Sequence, residues 1–367
     1  MSREALRLFA WGANSYGQLG IGRRSEQSET PTELSDPPPD VEAFAAGGGH
    51  SLAVGVSGEL YACGWNSKGQ LGLGDAEDRA RFERVSGVPA VKAAAAGWDF
   101  TVIVGEDGRA YGAGSNAFGQ LGLGSGRGAV KRFTEIDAVA DVQAVACGLR
   151  HTVFLDSSGG VFACGSGKKG QLGVGAKDGG KCVKPLKVPI PSAAARQICA
   201  GQHFTLCLTV DGRIFGFGDN KRGQLPSSGP VGDGASLRPT PVPIDVGPLD
   251  SPIARLVAGW THAAAVLEDG RVATWGRNDY FQLGRPDSQA DNFVRGSRIV
   301  SLSSGSEHCL AKEESGLLVS WGWNEHGNCG NGDTRNVAHP TLVKLPEKAE
   351  IVSHFAASAH NFAFIKK

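Results

Sequence analysis

Apolar runs of five or six residues, broken by short polar turns, recur along the whole chain. One copy reads His262-Ala-Ala-Ala-Val-Leu267, then Glu268-Asp269-Gly270, then Arg271-Val-Ala-Thr-Trp-Gly276. Two apolar runs around an Asp-Gly pair predict a β-hairpin, because that pair accepts the positive φ angles of a tight turn. Val210-Asp211-Gly212 and Glu106-Asp107-Gly108 repeat the signal. A strand-like run precedes each hairpin, as in Val91-Lys-Ala-Ala-Ala-Ala96, and another follows, as in Pro340-Thr-Leu-Val-Lys-Leu345. The pattern predicts four short antiparallel strands per unit of about 50 residues.

Two motifs mark the units. Gly-x-x-His begins at Gly47 and recurs at Gly148, Gly259, Gly305 and, with alanine, Ala357, while the copies at Gly97 and Gly201 carry Phe100 and Phe204 in the histidine place. Trp-Gly-x-Asn-x-x-Gly-Gln-Leu-Gly starts at Trp11. Its copies reach the Gly-Gln-Leu position at Gly17, Gly69, Gly119, Gly170, Gly223, Phe281 and Gly327. Gly47 and Gly64 are 17 residues apart, and five further pairs keep that distance. From the second glycine to the Gly-Gln-Leu position is always 5, while the remaining segment varies from 24 to 36 residues. A rigid core with one variable connection is what stacked units produce. The chain opens on a third strand, Leu8-Phe9-Ala10-Trp11-Gly12, and ends on two more within Ile351 to Ile365. The expected fold is therefore all-β, a closed seven-bladed propeller of four-stranded antiparallel blades. It is read as a single propeller over residues 1–367, with a hybrid last blade from about 5–40 and 346–367.

Composition adjusts this picture in three places. The 54 glycines fit many turns, and the 41 % hydrophobic content supports a packed core. Lys+Arg and Asp+Glu are equal at 37, which removes the basic excess expected of a nucleic-acid binder. The eight cysteines include no C-x-x-C pair, so zinc is not expected. No cofactor is expected either. Met1 to Ala5 lacks a signal-peptide core, and no stretch approaches the roughly 18 apolar residues of a membrane span. An intracellular chain with reduced thiols is expected.

The repeated motifs resemble those of the regulator-of-chromosome-condensation repeat family over essentially the whole chain. Gly97-Trp-Asp-Phe-Thr101, Gly148-Leu-Arg-His151, Gly259-Trp-Thr-His262 and Ser320-Trp-Gly-Trp-Asn-Glu-His-Gly327 look most like its secretion-regulating, guanine-nucleotide-exchange branch. The resemblance implies a cytoplasmic and nuclear protein, an exchange factor for a small GTPase, and association with exocytosis through the exocyst. It also implies departures. The chromosome regulator carries a key acid just before the third Gly-x-x-His histidine, where this chain has Arg150. Of its functional histidine in the fifth loop, only His262 is a match. Its enlarged wedge loop is absent from Gly114 to Gly119, which keep the ordinary spacing.

In a four-strand meander the first and third connections lie on one face. The variable positions of both motifs are therefore displayed together, and loops on a rigid scaffold commonly bind partners. The candidate partner-binding residues are Trp98, Asp99, Arg150, Trp260, Glu307, Lys169, Arg222, Tyr280 and Trp323, with Trp, Tyr and Arg the usual anchors. Lys168-Lys169 and Lys221-Arg222 occupy matching loops and are expected to form one basic patch. His50, His151, His262, His308 and His360 are read as structural hydrogen-bonding residues. Asn14, Asn66, Asn116 and their equivalents are read as turn residues, with Gln18, Gln70, Gln120 and theirs beside them. Trp11, Trp275 and Trp321 are read as packing. Gly165-Ser-Gly-Lys-Lys-Gly170 fits a dinucleotide motif but is only the repeat loop.

No catalytic side-chain constellation emerges. Two functions remain: a regulator of a small GTPase in secretion, and a docking scaffold, for example on the exocyst, without exchange activity. Chromatin binding is disfavoured by the zero net charge. Light sensing, known from a plant photoreceptor with these repeats, is disfavoured because Trp98 and Trp260 lie three repeats apart and form no tight cluster.

Overall fold

A computed structural model describes residues 6–125, 127–175, 180–191, 193–227, 235–286, 289, 291–347 and 349–366. Seven antiparallel sheets follow one another along the chain. The first full blade is Val41–Ala46, His50–Gly55, Leu60–Gly64 and Arg79–Arg84, hydrogen-bonded in that order. Blade 2 runs from Val91 to Glu135, blade 3 from Val142 to Lys187, blade 4 from Ala195 to Pro243 and blade 6 from Ile299 to Leu342, each with the same order. The last blade joins the two chain ends: Gln27–Glu33, Arg7–Ala13, His360–Lys366 and Glu350–Ala356 are neighbours in that order. This is the expected seven-bladed propeller.

Blade 5 departs from it. Ile253–Ala258, His262–Leu267 and Val272–Gly276 form three strands, and among the described residues the fourth is reduced to a single bridge between Ala273 and Phe293. The reason lies in the spacing: the stretch from Phe281 to Gly305, 24 residues, is the shortest of the variable segments.

The second strands are buried on both faces and read as continuous apolar runs. Each blade packs against the next. Between the hybrid blade and blade 1, Phe362 stacks on Phe44 at 4.3 Å, with Phe355, Phe364 and Phe82 around them. The glycine that ends each third strand has a steric cause. Gly64 has φ +97°, and a Cβ there would come 2.4 Å from the Gly49 carbonyl oxygen.

The repeated polar residues tie neighbouring blades together. The Gln18 main-chain carbonyl of the hybrid blade accepts the Ser51 hydroxyl of blade 1 at 2.7 Å. Thr101 donates to Gln70 O, Thr152 to Gln120 O, and Thr205 to Gln171 O. At the last three junctions indoles take over: Trp275 Nε1 donates to Gln224 O, Trp321 to Gln282 O and Trp11 to Asn328 O. Each glutamine side chain folds back on its loop, as Gln70 Oε1 accepts the Lys68 N–H at 2.9 Å. Each asparagine does the same five residues on, as Asn66 Oδ1 accepts the Leu71 N–H at 3.0 Å.

The repeat histidines complete these latches. His50 Nε2 lies 2.9 Å from Thr101 Oγ1, His151 Nε2 3.1 Å from Thr205 Oγ1, and His360 Nε2 2.7 Å from Ser51 Oγ. Each of these hydroxyls spends its own proton on a glutamine carbonyl, so the imidazole Nε2–H is the donor. Burial holds all three histidines neutral, with pKa values lowered to about 3. His308 uses Asn361 in the same way at 2.8 Å. The structural reading of these histidines, and of Trp11, Trp275 and Trp321 as packing residues, follows from this geometry.

Candidate functional site

The first connection of every blade turns inward at the central channel. Gly47, Gly97, Gly148, Gly201, Gly259, Gly305 and Ala357 all line it. Main-chain hydrogen bonds pass from loop to loop around the rim. Leu149 N–H donates to Gln202 O, Gln202 to Trp260 O, Trp260 to Ser306 O and Ser306 to Ser358 O, at 2.7–3.1 Å. The cavity at this level is about 110 Å³. That is room for waters but not for a folded partner.

Over this mouth the structure corrects the sequence reading. Trp98 of blade 2 and Trp260 of blade 5 meet, with ring centroids 5.5 Å apart. Three repeats of separation along the chain is nearly opposite in a ring of seven, and long indoles span a narrow opening. Trp65 stands edge-on to Trp98 at 6.4 Å, and Tyr16 stacks on Trp65 at 5.4 Å. A continuous row of four rings thus crosses the face. Neither Tyr16 nor Trp65 was among the candidate partner-binding residues. A signal for Tyr16 exists in Gly47-Gly48-Gly49. A Cβ at Gly48 would meet the Trp98 ring at 2.7 Å, and one at Gly49 would meet the Tyr16 ring at 2.8 Å. The bare loop is the floor on which the rings lie.

Around the row the other candidates fall into two groups. Asp99 is half-buried on the blade 2 loop, and Arg150 is exposed on that of blade 3 with its guanidinium 4.3 Å from the Phe118 ring centroid. Burial raises the Asp99 pKa, opposed by a hydrogen bond from Ser115 and by the charges of Lys68 and Arg150. Lys169 and Arg150 both act on His203, whose pKa burial lowers. The cations brought near one another are thus Arg150 and Lys169 of blade 3, whereas Arg222 of blade 4, expected to join Lys169 in one patch, is drawn to an acid. Arg222 reaches Asp279 at 3.4 Å, an acid that Arg277 also holds at 2.9 Å.

The second group lies at blades 5 and 6. Glu307 is buried, 7 % exposed, so it is an organising acid rather than a displayed one. Thr261 Oγ1 donates to it at 2.6 Å and Gln282 Nε2 at 2.7 Å, while His262 Nδ1 lies 3.6 Å away. On the other side, His262 Nε2 is 3.4 Å from Cys309 Sγ and 3.1 Å from Ser304 Oγ. Burial opposes charge on His262, but Cys309 and Glu307 outweigh it and raise its pKa to about 9. Burial likewise opposes ionisation of Glu307, and His262, Thr261 and Gln282 outweigh it and lower its pKa. Cys309 and Glu307 thus favour the charged form of the fifth repeat histidine, whereas burial favours the neutral form of its equivalents. Nearby, Arg277 lies over the Tyr280 ring at 4.6 Å, and Trp323 donates its indole N–H to Glu325 at 3.2 Å.

Phe281 stands out within this group. The glycines at its position in the other six loops have φ between +72° and +84°. Phe281 adopts φ 64° with a bulky side chain that is 42 % exposed. A non-glycine residue held there costs about 1–3 kcal/mol. Phe281→Gly is therefore expected to stabilise the protein by about 1 kcal/mol, after the entropy that glycine restores to the unfolded chain. Chemical denaturation of the variant checks this, and a lower unfolding midpoint would contradict the strain.

The polar repeat residues of this propeller latch its blades, and variable loop residues crowd one channel mouth. The chain belongs to the RCC1-like domain family, whose sequence pattern matches residues 7–363. It is 36 % identical over 298 residues to the mouse (Mus musculus) secretion-regulating guanine nucleotide exchange factor, covering 76 % of this chain and 61 % of that protein. It is 34 % identical over 295 residues to the ultraviolet-B receptor UVR8 of Arabidopsis thaliana, covering 78 % of this chain and 52 % of the receptor. The chain thus spans only part of these relatives. Among solved structures, human WBSCR16 superposes with a TM-score of 0.87 at 23 % identity, each chain 99 % covered. Prp20p of Saccharomyces cerevisiae, described with its binding to Gsp1p and histones, gives 0.86 at 24 %, covering all of this chain and 93 % of that one. Both likenesses concern the fold.

Proposed function

We propose that this chain is a protein-interaction propeller that regulates a small GTPase, acting as a guanine nucleotide exchange factor in secretion or vesicle traffic, in the cytoplasm and also in the nucleus. The observation that carries the reading is the aromatic row from Tyr16 to Trp260, with exposed Arg150 beside it, on the face that displays the variable loop positions. Exchange needs no nucleophile. It needs a surface that favours the nucleotide-free GTPase over the bound form, a difference in binding free energy. The likeness to the mouse exchange factor supports that activity.

A second reading, a docking scaffold for an exocyst-type traffic protein without exchange activity, is favoured by one position. Arg150 is exposed where the chromosome regulator of this family carries an acid. Reversed charge at a contact is a repulsive specificity element. The test is stopped-flow release of a fluorescent guanine nucleotide across a panel of small GTPases. Acceleration is expected on a vesicle-traffic GTPase and not on the nuclear-transport one. Strong acceleration on the nuclear-transport GTPase would contradict this specificity, and no acceleration on any would leave the scaffold reading.

A further inference from the structure

The seven tryptophans divide by what their indole N–H does. Trp11, Trp275 and Trp321 donate to main-chain carbonyls of the preceding blade, and Trp323 donates to Glu325. Among the described residues no acceptor within the chain takes the N–H of Trp65, Trp98 or Trp260; Trp98 is exposed, and the nitrogens of half-buried Trp65 and Trp260 are not enclosed. These three are the indoles of the row over the channel mouth. Three donors without a partner in the chain, beside three apolar rings, form a surface with half of each interaction missing.

The surroundings supply more donors. Lys68 and Arg150 flank Asp99 next to Trp98, and Lys169 stands one blade further on. None of the three makes an ion pair among the described residues. Asp99 is the acid among them, and it is half-buried.

We propose that the row is a docking site for an extended, acidic, proline-rich segment of a partner protein. The inference rests on the reading of this face as a partner-binding surface and is independent of exchange activity. Three features select that occupant. Flat aromatic faces pack against proline rings, and an indole N–H pairs with the carbonyl before a proline, which the polyproline helix leaves unbonded. Polyproline rises 3.1 Å per residue with three residues per turn, so one face recurs about every 9 Å. Four rings at centroid steps of 5.4, 6.4 and 5.5 Å make a row long enough for successive turns of such a helix to touch it. Lys68, Arg150 and Lys169 then call for carboxylates flanking the prolines. Single-stranded nucleic acid, which also uses rings and cations, fits less well. Its bases stack on open ring faces, and here the rings cover one another, Tyr16 stacked on Trp65 and Trp65 edge-on to Trp98.

The probe is a short, end-blocked peptide of Glu-Pro-Pro repeats, compared with Lys-Pro-Pro and Glu-Ser-Gly repeats of the same length and with oligothymidylate. Binding is read by calorimetry and by the indole N–H resonances in NMR spectra. The Glu-Pro-Pro peptide is expected to bind and to move three indole signals. Trp98→Phe with Trp260→Phe keeps the rings and removes two donors, and should weaken binding about tenfold or more. Lys68→Glu with Arg150→Glu should transfer preference to the Lys-Pro-Pro peptide. Circular dichroism confirms that each variant is folded. Equal binding of the two proline peptides, equal binding of the Glu-Ser-Gly peptide, or tighter binding of the oligonucleotide would each overturn the proposal. So would failure of the peptide to bind. Acceleration of nucleotide release in that case would leave the exchange-factor reading standing.

Discussion

A chain ending at Glu350 is expected to show no cooperative unfolding transition. The lost residues include all of His360–Lys366, the strand that pairs with Arg7–Ala13 to close the ring, and all but the first of Glu350–Ala356, which pairs with His360–Lys366 in turn. Ile351, Phe362, Ala363, Phe364 and Ile365 are buried. Each large apolar side chain contributes about 1.5–3 kcal/mol on burial. Their sum rivals the whole stability of a typical domain, about 5–15 kcal/mol. Both neighbours suffer as well. Blade 1 loses the Phe362 ring stacked on Phe44 and the His360 latch on Ser51. Blade 6 loses the Asn361 partner of His308 and the Ile351 carbonyl that accepts from Lys312. Circular dichroism and calorimetry of the truncated chain measure this, and a native melting temperature would show that closure is dispensable.

Acidification should destabilise the protein long before its carboxylates protonate. His50, His151 and His360 have pKa values lowered by burial to about 3, and His308 and His354 to about 4. The unfolded chain takes up protons at these sites below about pH 6.5, while the folded protein does not. Their stabilising contribution is therefore complete above about pH 6.5 and falls as the pH drops toward 3–4. At pH 5 the loss is roughly 2 kcal/mol for each of the five, an upper bound because latches can open locally. His262 has the opposite sign. Its pKa of about 9 makes its contribution complete below about 6.5 and lost as the pH rises through 9. Thermal melts should show a steep fall in melting temperature between pH 7 and 5. His50→Asn with His360→Asn, if folded, should flatten that slope. A melting temperature unchanged from pH 7 to 5 would mean that the latch histidines are not neutral and buried.

The repeat was open to reading because both motifs are local. A glycine at positive φ, an asparagine capping its own loop and a glutamine folded on its neighbour are set by residues within about five positions, so each copy carries its own signature. Closure was also legible, since the two end strands lacked partners anywhere else. The shortened fourth strand of blade 5 was visible only as a shorter spacer. The face of the candidate site followed from meander geometry, but its contents did not. Arg222 belongs to Asp279 rather than to a free basic patch, and Glu307 is buried beneath Thr261 and Gln282. No sequence distance shows either, because both pairs join different blades.

What the sequence determined by itself was the unit, its number and its closure, along with the structural duty of the repeat histidines, asparagines and glutamines. These depend on local backbone sterics and on hydrogen bonds made within each loop and to the next blade, which recur with substitutions from copy to copy. What only the tertiary structure decided was who meets across the ring. Trp98 and Trp260, 162 positions apart, touch because seven blades leave an opening narrower than two indoles. Tyr16 and Trp65 join them because Gly48 and Gly49 leave room. Distance around a circle is not distance along a chain, and the surface that carries recognition exists only once the circle is closed.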